Sequence, residues 1–181
     1  MSRRRAFLVL VVAAFAIGLG IIGPKIGPVY RHPIATFRLL ATSASEVLPV
    51  PVEGVRRSDL RDTWNGPRSG GRHHRGIDIF AKRGTPIRST TSGIVATVGT
   101  NQLGGRIVRV LGPAGEWHYY AHLESFGQIR AGDRVSPGTV LGTVGDSGNA
   151  RGTPPHLHYG IYHFRGGAMN PYPRLARKPR S

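Results

Sequence analysis

The chain has no cysteine among its 181 residues. That excludes a disulfide framework, a thiolate metal site, a cysteine nucleophile and a lipid-modified cysteine near the N-terminus. Acidic residues are also scarce, with 9 Asp and Glu against 25 Lys and Arg and a formal charge of +16. Such a chain is drawn to polyanions: nucleic acid, a membrane surface or the bacterial cell wall. Nucleic acid is the least expected of these. There is no RNP-like aromatic pattern, zinc finger or helix-turn-helix signal, and Phe and Tyr are not interleaved with Arg on one face. Sustained 3.6-residue periodicity is missing after residue 50, while 26 Gly and 14 Pro punctuate the sequence. Short strands joined by turns fit this texture better than helices.

The N-terminus sets location. Residues 1–5 form a short basic tail, with Arg3, Arg4 and Arg5 preceding the uncharged, mostly apolar run from Ala6 to Gly23. As a helix that run spans about 27 Å, enough for a bilayer core. The arginines favour a cytoplasmic start, with all later residues outside. A cleaved signal peptide, cut near Ala14-Phe15-Ala16, is the rival reading, but it would leave an apolar new N-terminus; a retained transmembrane helix is the better expectation. Residues 24–51, with Pro24, Pro28, Pro33 and Pro49 around one short helix at 36–47, read as a linker or tether. The main domain is expected at 52–173, followed by a basic, disordered tail at 174–181.

Within the domain, 93–99, 106–111, 116–123 and 156–164 read as strands, and Gly112-Pro113-Ala114-Gly115 as the turn of a hairpin between two of them. A weak internal echo links Gly84-Thr85-Pro86-Ile87, then Gly93, with Gly132-Asp133-Arg134-Val135, then Gly138. Two copies are too few for a solenoid, so a duplicated β-hairpin unit inside one compact sheet structure is expected.

Three segments carry chemistry. His156 and His158 sit two apart in an apolar, aromatic segment, and His74, Gly76 and Asp78 also share one strand face, with Ile77 and Ile79 on the other. Two such strands side by side aim two imidazoles and a carboxylate at one point, the donor set of a catalytic zinc site with an open fourth position. On a third strand His118, Tyr120 and His122 are expected on one face.

The order His74-x-Gly76-x-Asp78, Tyr120-Ala121-His122-Leu123, His156-Leu157-His158 resembles the M23 family of zinc metallopeptidases, the lysostaphin-type or LytM-type peptidoglycan endopeptidases. Arg72, Ile79 to Ala81, Gly84-Thr85-Pro86 and Gly132-Asp133-x-Val135 resemble it too, over about residues 52–172. The resemblance implies a mainly β fold of antiparallel sheets, duplicated-hybrid-like, with a substrate groove. It implies Zn2+ on His74, Asp78 and His158, and catalytic roles for His122 and His156. Tyr120, Arg72 and His118 are groove candidates, Arg72 as a contact for a substrate carboxylate. The segment Asn149 to Pro155 departs from the family's commoner Thr-Gly-Pro ending, which bears on specificity rather than ligation.

Gly145-Asp146-Ser147-Gly148 resembles a serine-peptidase nucleophile segment, but the exported region is too short for a double barrel and a turn is the better reading. His-Glu-x-x-His is absent, which excludes a helix-borne zinc site of that kind. The expectation is an endopeptidase acting on peptide cross-links of bacterial peptidoglycan, held at the inner membrane with its catalytic domain outside the cytoplasm, periplasmic in a Gram-negative cell. The rival is a cell-wall-binding or hydrolase-activating module of the same fold. Such a module would have lost metal ligands, and here all three ligands and both accessory histidines are present. A protein regulator gating the groove is left open.

Overall fold

The computed structural model describes residues 27–163 and 167–178. Among the described residues there are eleven short strands: β1 (Pro67–Arg68), β2 (Arg72–His73), β3 (Ile77–Phe80), β4 (Pro86–Arg88), β5 (Gly93–Asn101), β6 (Gly105–Leu111), β7 (Trp117–Phe126), β8 (Arg134–Val135), β9 (Val140–Val144), β10 (His156–Tyr162) and β11 (Ala168–Met169). Every pairing is antiparallel. β1 and β2 form a separate ribbon, and the others form one sheet running β11-β10-β7-β6-β5-β8, with β3 on β10 and β9 joining β4 to β7. The expected hairpin is present, since β6 and β7 flank the turn Pro113–Gly115 and pair along most of their length.

Alternation decides what each strand buries. From β3, β7 and β10, Ile77, Ile79, Tyr120, Leu157, Tyr159 and Ile161 enter the main core with Val95, Val108, Val110, Leu141 and Val144. A second cluster holds Ile94, Ala96, Leu111 and Trp117 on the opposite face. That face needs a cover, and Val29 supplies it, 1% exposed, with Ala35 and Leu39 packed alongside.

The segment expected to act as a tether is therefore laid against the domain. A 3-10 turn (Gly27–Arg31) leads into α1 (Pro33–Ala41), and Leu48 is buried in the main core. The helix lies earlier than the expected 36–47. Proline at its first position presets the backbone there, and the chain turns extended at Thr42. The first residues of the expected basic tail are likewise folded onto the domain. α2 (Tyr172–Ala176) buries Leu175 completely, and Arg174 meets the buried Glu116 at 2.9 Å. The apolar run 6–23 lies outside the described residues; no helix among those described is long and apolar enough to cross a membrane.

The internal echo is real but is not a pair of hairpins. β4, at the first copy, pairs with β9 after the second copy, and β8, at the second, pairs with β5 after the first. The hydrogen bonds repeat: Gly84 N donates to Val144 O and Val144 N to Thr85 O, while Gly132 N donates to Val95 O and Val95 N to Asp133 O. Each copy completes the other, so neither is a closed unit.

Val29→Ala tests the docked N-terminal segment. Truncating a buried side chain should lower stability by about 2 kcal/mol, read from the denaturant midpoint of the full-length protein; a mere tether would leave the midpoint where it was.

Candidate active site

β10 lies between β3 and β7. His158 stands opposite Asp78 on one side and Ala121 on the other. With Leu157, Tyr159 and Ile161 facing the core, His156 and His158 face the other way, into a cleft of about 860 Å³. His74 enters just before β3, buried, its backbone pinned by His74 N to Gly66 O and Asn65 N to His74 O.

These elements bring His74, Asp78 and His158 together, as expected. His74 Nε2 is 3.0 Å from Asp78 Oδ1 and 2.8 Å from His158 Nδ1, which is 3.2 Å from the same oxygen. One donor atom from each lies within 4.8 Å of the others. The other side of His74 is engaged, its Nδ1 2.7 Å from the Thr63 carbonyl. Nδ1–H donating there leaves the Nε2 lone pair for the cluster, the outer-contact pattern of metal-binding histidine. Burial works against ionising Asp78, but the hydrogen bonds and charges of His158 and His74 outweigh it and hold the carboxyl well below the usual range. Burial also pushes His158 down, toward the neutral ring a ligand needs. Two imidazole nitrogens and one carboxylate oxygen fit a divalent cation such as zinc.

Gly76, the middle of the first motif, packs flat beneath this cluster. A Cβ there would lie 2.5 Å from the Tyr159 carbonyl oxygen and 2.8 Å from Cε1 and Nε2 of His158. The position stays bare so that the His158 ring can lie against it.

His122 and His156 flank the cluster, with ring centroids 5.0 Å apart and His122 5.9 Å from His158. Each is anchored through Nδ1: His122 to the Ser147 carbonyl and His156 to the Pro154 carbonyl, both at 2.8 Å. Each therefore keeps Nε2 for the cleft, and that of His156 is 4.0 Å from Asp78 Oδ1. Burial lowers His122 to about 4 despite the Ser147 contact, so at neutral pH the ring is uncharged.

His122 arrives by a route that strand alternation does not foresee. It was expected on one face with Tyr120 and His118, yet it shares the cleft with Tyr119 and Ala121. The β6–β7 register shifts between Arg106 and Val108, where Leu123 and Tyr120 are the partners, and His122 has φ 65°. This is a bulge, two residues facing one, and it turns the side chain across the sheet. Here too β7 changes neighbours, pairing with β10 up to Ala121 and with β9 from Leu123.

Tyr120 and His118 are consequently not groove residues. Both are buried in the core, where the Thr90 hydroxyl lies 2.9 Å from Tyr120 OH, 2.8 Å from Tyr159 OH and 3.1 Å from His118 Nδ1. Burial, then the Arg174 charge, lowers His118 to about 3, so it is a neutral core histidine. Arg72 does line the cleft.

Other contributors stand outside the motifs. Ser147 and Pro154 act through backbone carbonyls, and Thr63 acts twice, its carbonyl facing His74 Nδ1 and its hydroxyl accepting from Asp78 N at 3.0 Å. Arg68, from β1, donates to Asp78 Oδ2. The Ser147 hydroxyl is used up structurally, donating to Leu123 O and accepting from Arg106 N, which agrees with the turn reading. Gly105 and Gly148 allow that turn to lie on β6, since a Cβ on either would meet the other's backbone nitrogen within 2.3 Å.

The family model for peptidase family M23 matches residues 72–171, and the chain belongs to that family. The L-Ala--D-Glu endopeptidase of Bacillus subtilis (strain 168) is 41% identical over 140 residues, 70% of this chain and 42% of that protein. The DD-carboxypeptidase/endopeptidase Mpg of Neisseria meningitidis is 37% identical over 106 residues, 59% of this chain and 22% of that one. The chain thus spans less than half of either relative. Among solved structures, a putative glycyl-glycine endopeptidase lytM from Ruminococcus gnavus superimposes with a TM-score of 0.60 at 32% identity, covering 77% of this chain and 62% of that one. The catalytic domain of lysostaphin from Staphylococcus simulans gives 0.57 at 28%, covering 65% and 92%.

Two substitutions probe the site. Gly76→Ala should displace His158 and weaken zinc affinity by about 10-fold or more, measured by competition with a chromophoric chelator. His118→Gln tests the buried histidine. A group whose folded pKa is depressed stabilises fully above its unfolded value and loses that contribution as pH falls. Stability should therefore drop by about 1.4 kcal/mol per pH unit from about 6.5 downward, and this component of the slope should vanish in the glutamine variant when unfolding is followed at several pH values.

Proposed function

We propose that this domain is a zinc-dependent endopeptidase that hydrolyses peptide bonds of bacterial peptidoglycan, with zinc held by His74, Asp78 and His158 and with His122 and His156 as the catalytic pair. The supporting observation is the convergence of three donor atoms of the right chemistry beside two imidazoles whose Nδ1 atoms are both tied to backbone carbonyls. Zinc in such a set supplies Lewis acidity, polarising a peptide carbonyl and acidifying water near neutral pH.

The chain's residues do the rest. His122 and His156 present Nε2 from two sides, so one accepts the proton of the attacking water and passes it to the leaving amine. The other, when protonated, donates N–H to the carbonyl oxygen as negative charge builds there. The carbonyls of Ser147 and Pro154 fix both rings, so no reorientation is needed during the reaction. The cleft is open along the face of β7 and β10, and Tyr119 and Phe80 flank it for an extended peptide.

The bond cut is part of this proposal. The Bacillus subtilis relative is named for an L-Ala–D-Glu bond, which favours a stem-peptide bond of that kind over a glycyl bridge. We place the domain outside the cytoplasm, where peptidoglycan lies, with the apolar run 6–23 as its inner-membrane anchor. The exposure of Ile34 and Phe37 on α1, at 70% and 72%, suits a segment leaving a bilayer surface.

Metal analysis and turnover on purified peptidoglycan test the assignment together. His158→Ala should lose zinc, whereas His122→Ala should keep it and lose about 10²–10⁴-fold in rate. Wild-type rates in both variants, or full activity after chelation, would overturn it.

A further inference from the structure

We infer that α1 is a membrane-contacting surface: its outward face, Ile34, Phe37 and Leu40, lies in the interface of an anionic bilayer and holds the domain against it. This rests on the reading of residues 6–23 as an anchor, not on the peptidase chemistry.

The first observation is the pattern of the helix, Pro-Ile-Ala-Thr-Phe-Arg-Leu-Leu-Ala. Its inner face is spent on the domain. Ala35 and Leu39 pack on the second cluster, and the buried Thr36 hydroxyl donates to Val29 O at 2.7 Å. At about 3.6 residues per turn, Ile34, Phe37 and Ala41 fall on the opposite side, with Leu40 at its edge. A surface helix carries polar groups there, whereas one that is apolar all round is covered all round. Arg38 is the single charged residue of α1, and Ile34 and Phe37 are the most exposed large apolar side chains among the described residues.

The length of chain before α1 says what covers it. Gly27 stands four positions after Gly23, the end of the apolar run. Four residues span at most about 15 Å in any conformation, and the 3-10 turn at Gly27–Arg31 adds about 10 Å. With the run in a bilayer, α1 stays within a short reach of that bilayer's surface.

Charge agrees. Arg31 and Arg38 are exposed at the start of α1 and within it. Arg31 lies against the turn that carries the exposed Arg130 and Arg134, since a Cβ on Gly132 would stand 3.3 Å from Arg31 Cδ. The acid of that turn, Asp133, accepts from Arg130 N at 2.7 Å. An apolar stripe rimmed by arginines suits an anionic interface, where long basic side chains reach the headgroups.

The cleft follows. Tyr162, opposite Trp117 in the β7–β10 pairing, packs on the cluster that α1 covers and also lines the cleft. Trp117 and the cleft residue Ala121 are four steps apart on one strand, about 13 Å. Docked in this way, α1 holds the cleft beside the membrane rather than at the end of a free tether.

The test uses the full-length chain in vesicles of phosphatidylethanolamine and phosphatidylglycerol. Because the chain has no cysteine, Ile34→Cys, Phe37→Cys and Gln102→Cys can each carry one nitroxide label, the last as an exposed reference at the tip between β5 and β6. Power saturation with oxygen and with a water-soluble nickel chelate reads the surroundings of each label. Labels at 34 and 37 should lose access to the chelate and keep access to oxygen, while the label at 102 meets the chelate freely. Chelate access at 34 and 37 equal to that at 102 overturns the inference. Exclusion of both probes also overturns it, since protein, a second copy or this chain's own residues, then covers the helix. Flotation of the vesicles reads the anchor separately: a chain that does not float with them overturns anchor and docking together. Peptide hydrolysis by the same samples reads the peptidase assignment, and its absence beside membrane-buried labels would retire that assignment and keep the docking.

Discussion

The register of one strand governs the molecule. β10 pairs with β3 and β7 at once, and His158 must lie opposite Asp78 on one side while Ala121 lies opposite it on the other. A slip of one residue would turn Leu157, Tyr159 and Ile161 outward and drive both histidines into the core. The register is held because those three apolar side chains are fully buried. Hydrophobic burial on one face of β10 therefore aligns the polar atoms on the other. The side chains that stabilise the sheet and those that would do chemistry alternate along the same seven residues.

A second constraint acts where that regularity stops. At His122, β7 ceases to pair with β10 and begins to pair with β9, and the bulge absorbs the change of direction. The positive φ costs about 1–3 kcal/mol for a residue other than glycine, and the surroundings offset it: His122 N donates to Gly104 O, and its ring is held by the Ser147 carbonyl. The device that bends the strand is also the one that brings His122 into the cleft.

What was legible in the sequence follows from this division. The central strands, the hairpin at 112–115 and the meeting of His74, Asp78 and His158 rest on local alternation and on residue types with distinctive donors, so they could be read directly. The faces of Tyr120, His118 and His122 could not. Their placement depends on a bulge set by where β9 takes over from β10, which no local pattern records. Ser147 and Pro154 hold the two rings by main-chain oxygens, which every residue has, so nothing in their type marks them, and the Thr63 hydroxyl that accepts from Asp78 N lies 15 positions away from it. The docking of Val29 and Leu48 was hidden for another reason. A proline-rich stretch looks like a spacer until the uncovered face of Ile94, Leu111 and Trp117 is known. The paired echo was visible as a repeat, but the exchange of partners between copies is a property of the closed sheet alone.

The spacing of the cluster along the chain has its own consequence. His74 and His158 are 84 positions apart, and the strand carrying the second is synthesised long after the one that follows the first. Until β10 inserts between β3 and β7, Asp78 has no partner strand and the three donors cannot meet. A polypeptide that has not yet folded β10 into the sheet therefore holds two of the donors apart from the third, and the cluster forms in one step with the closing of the sheet.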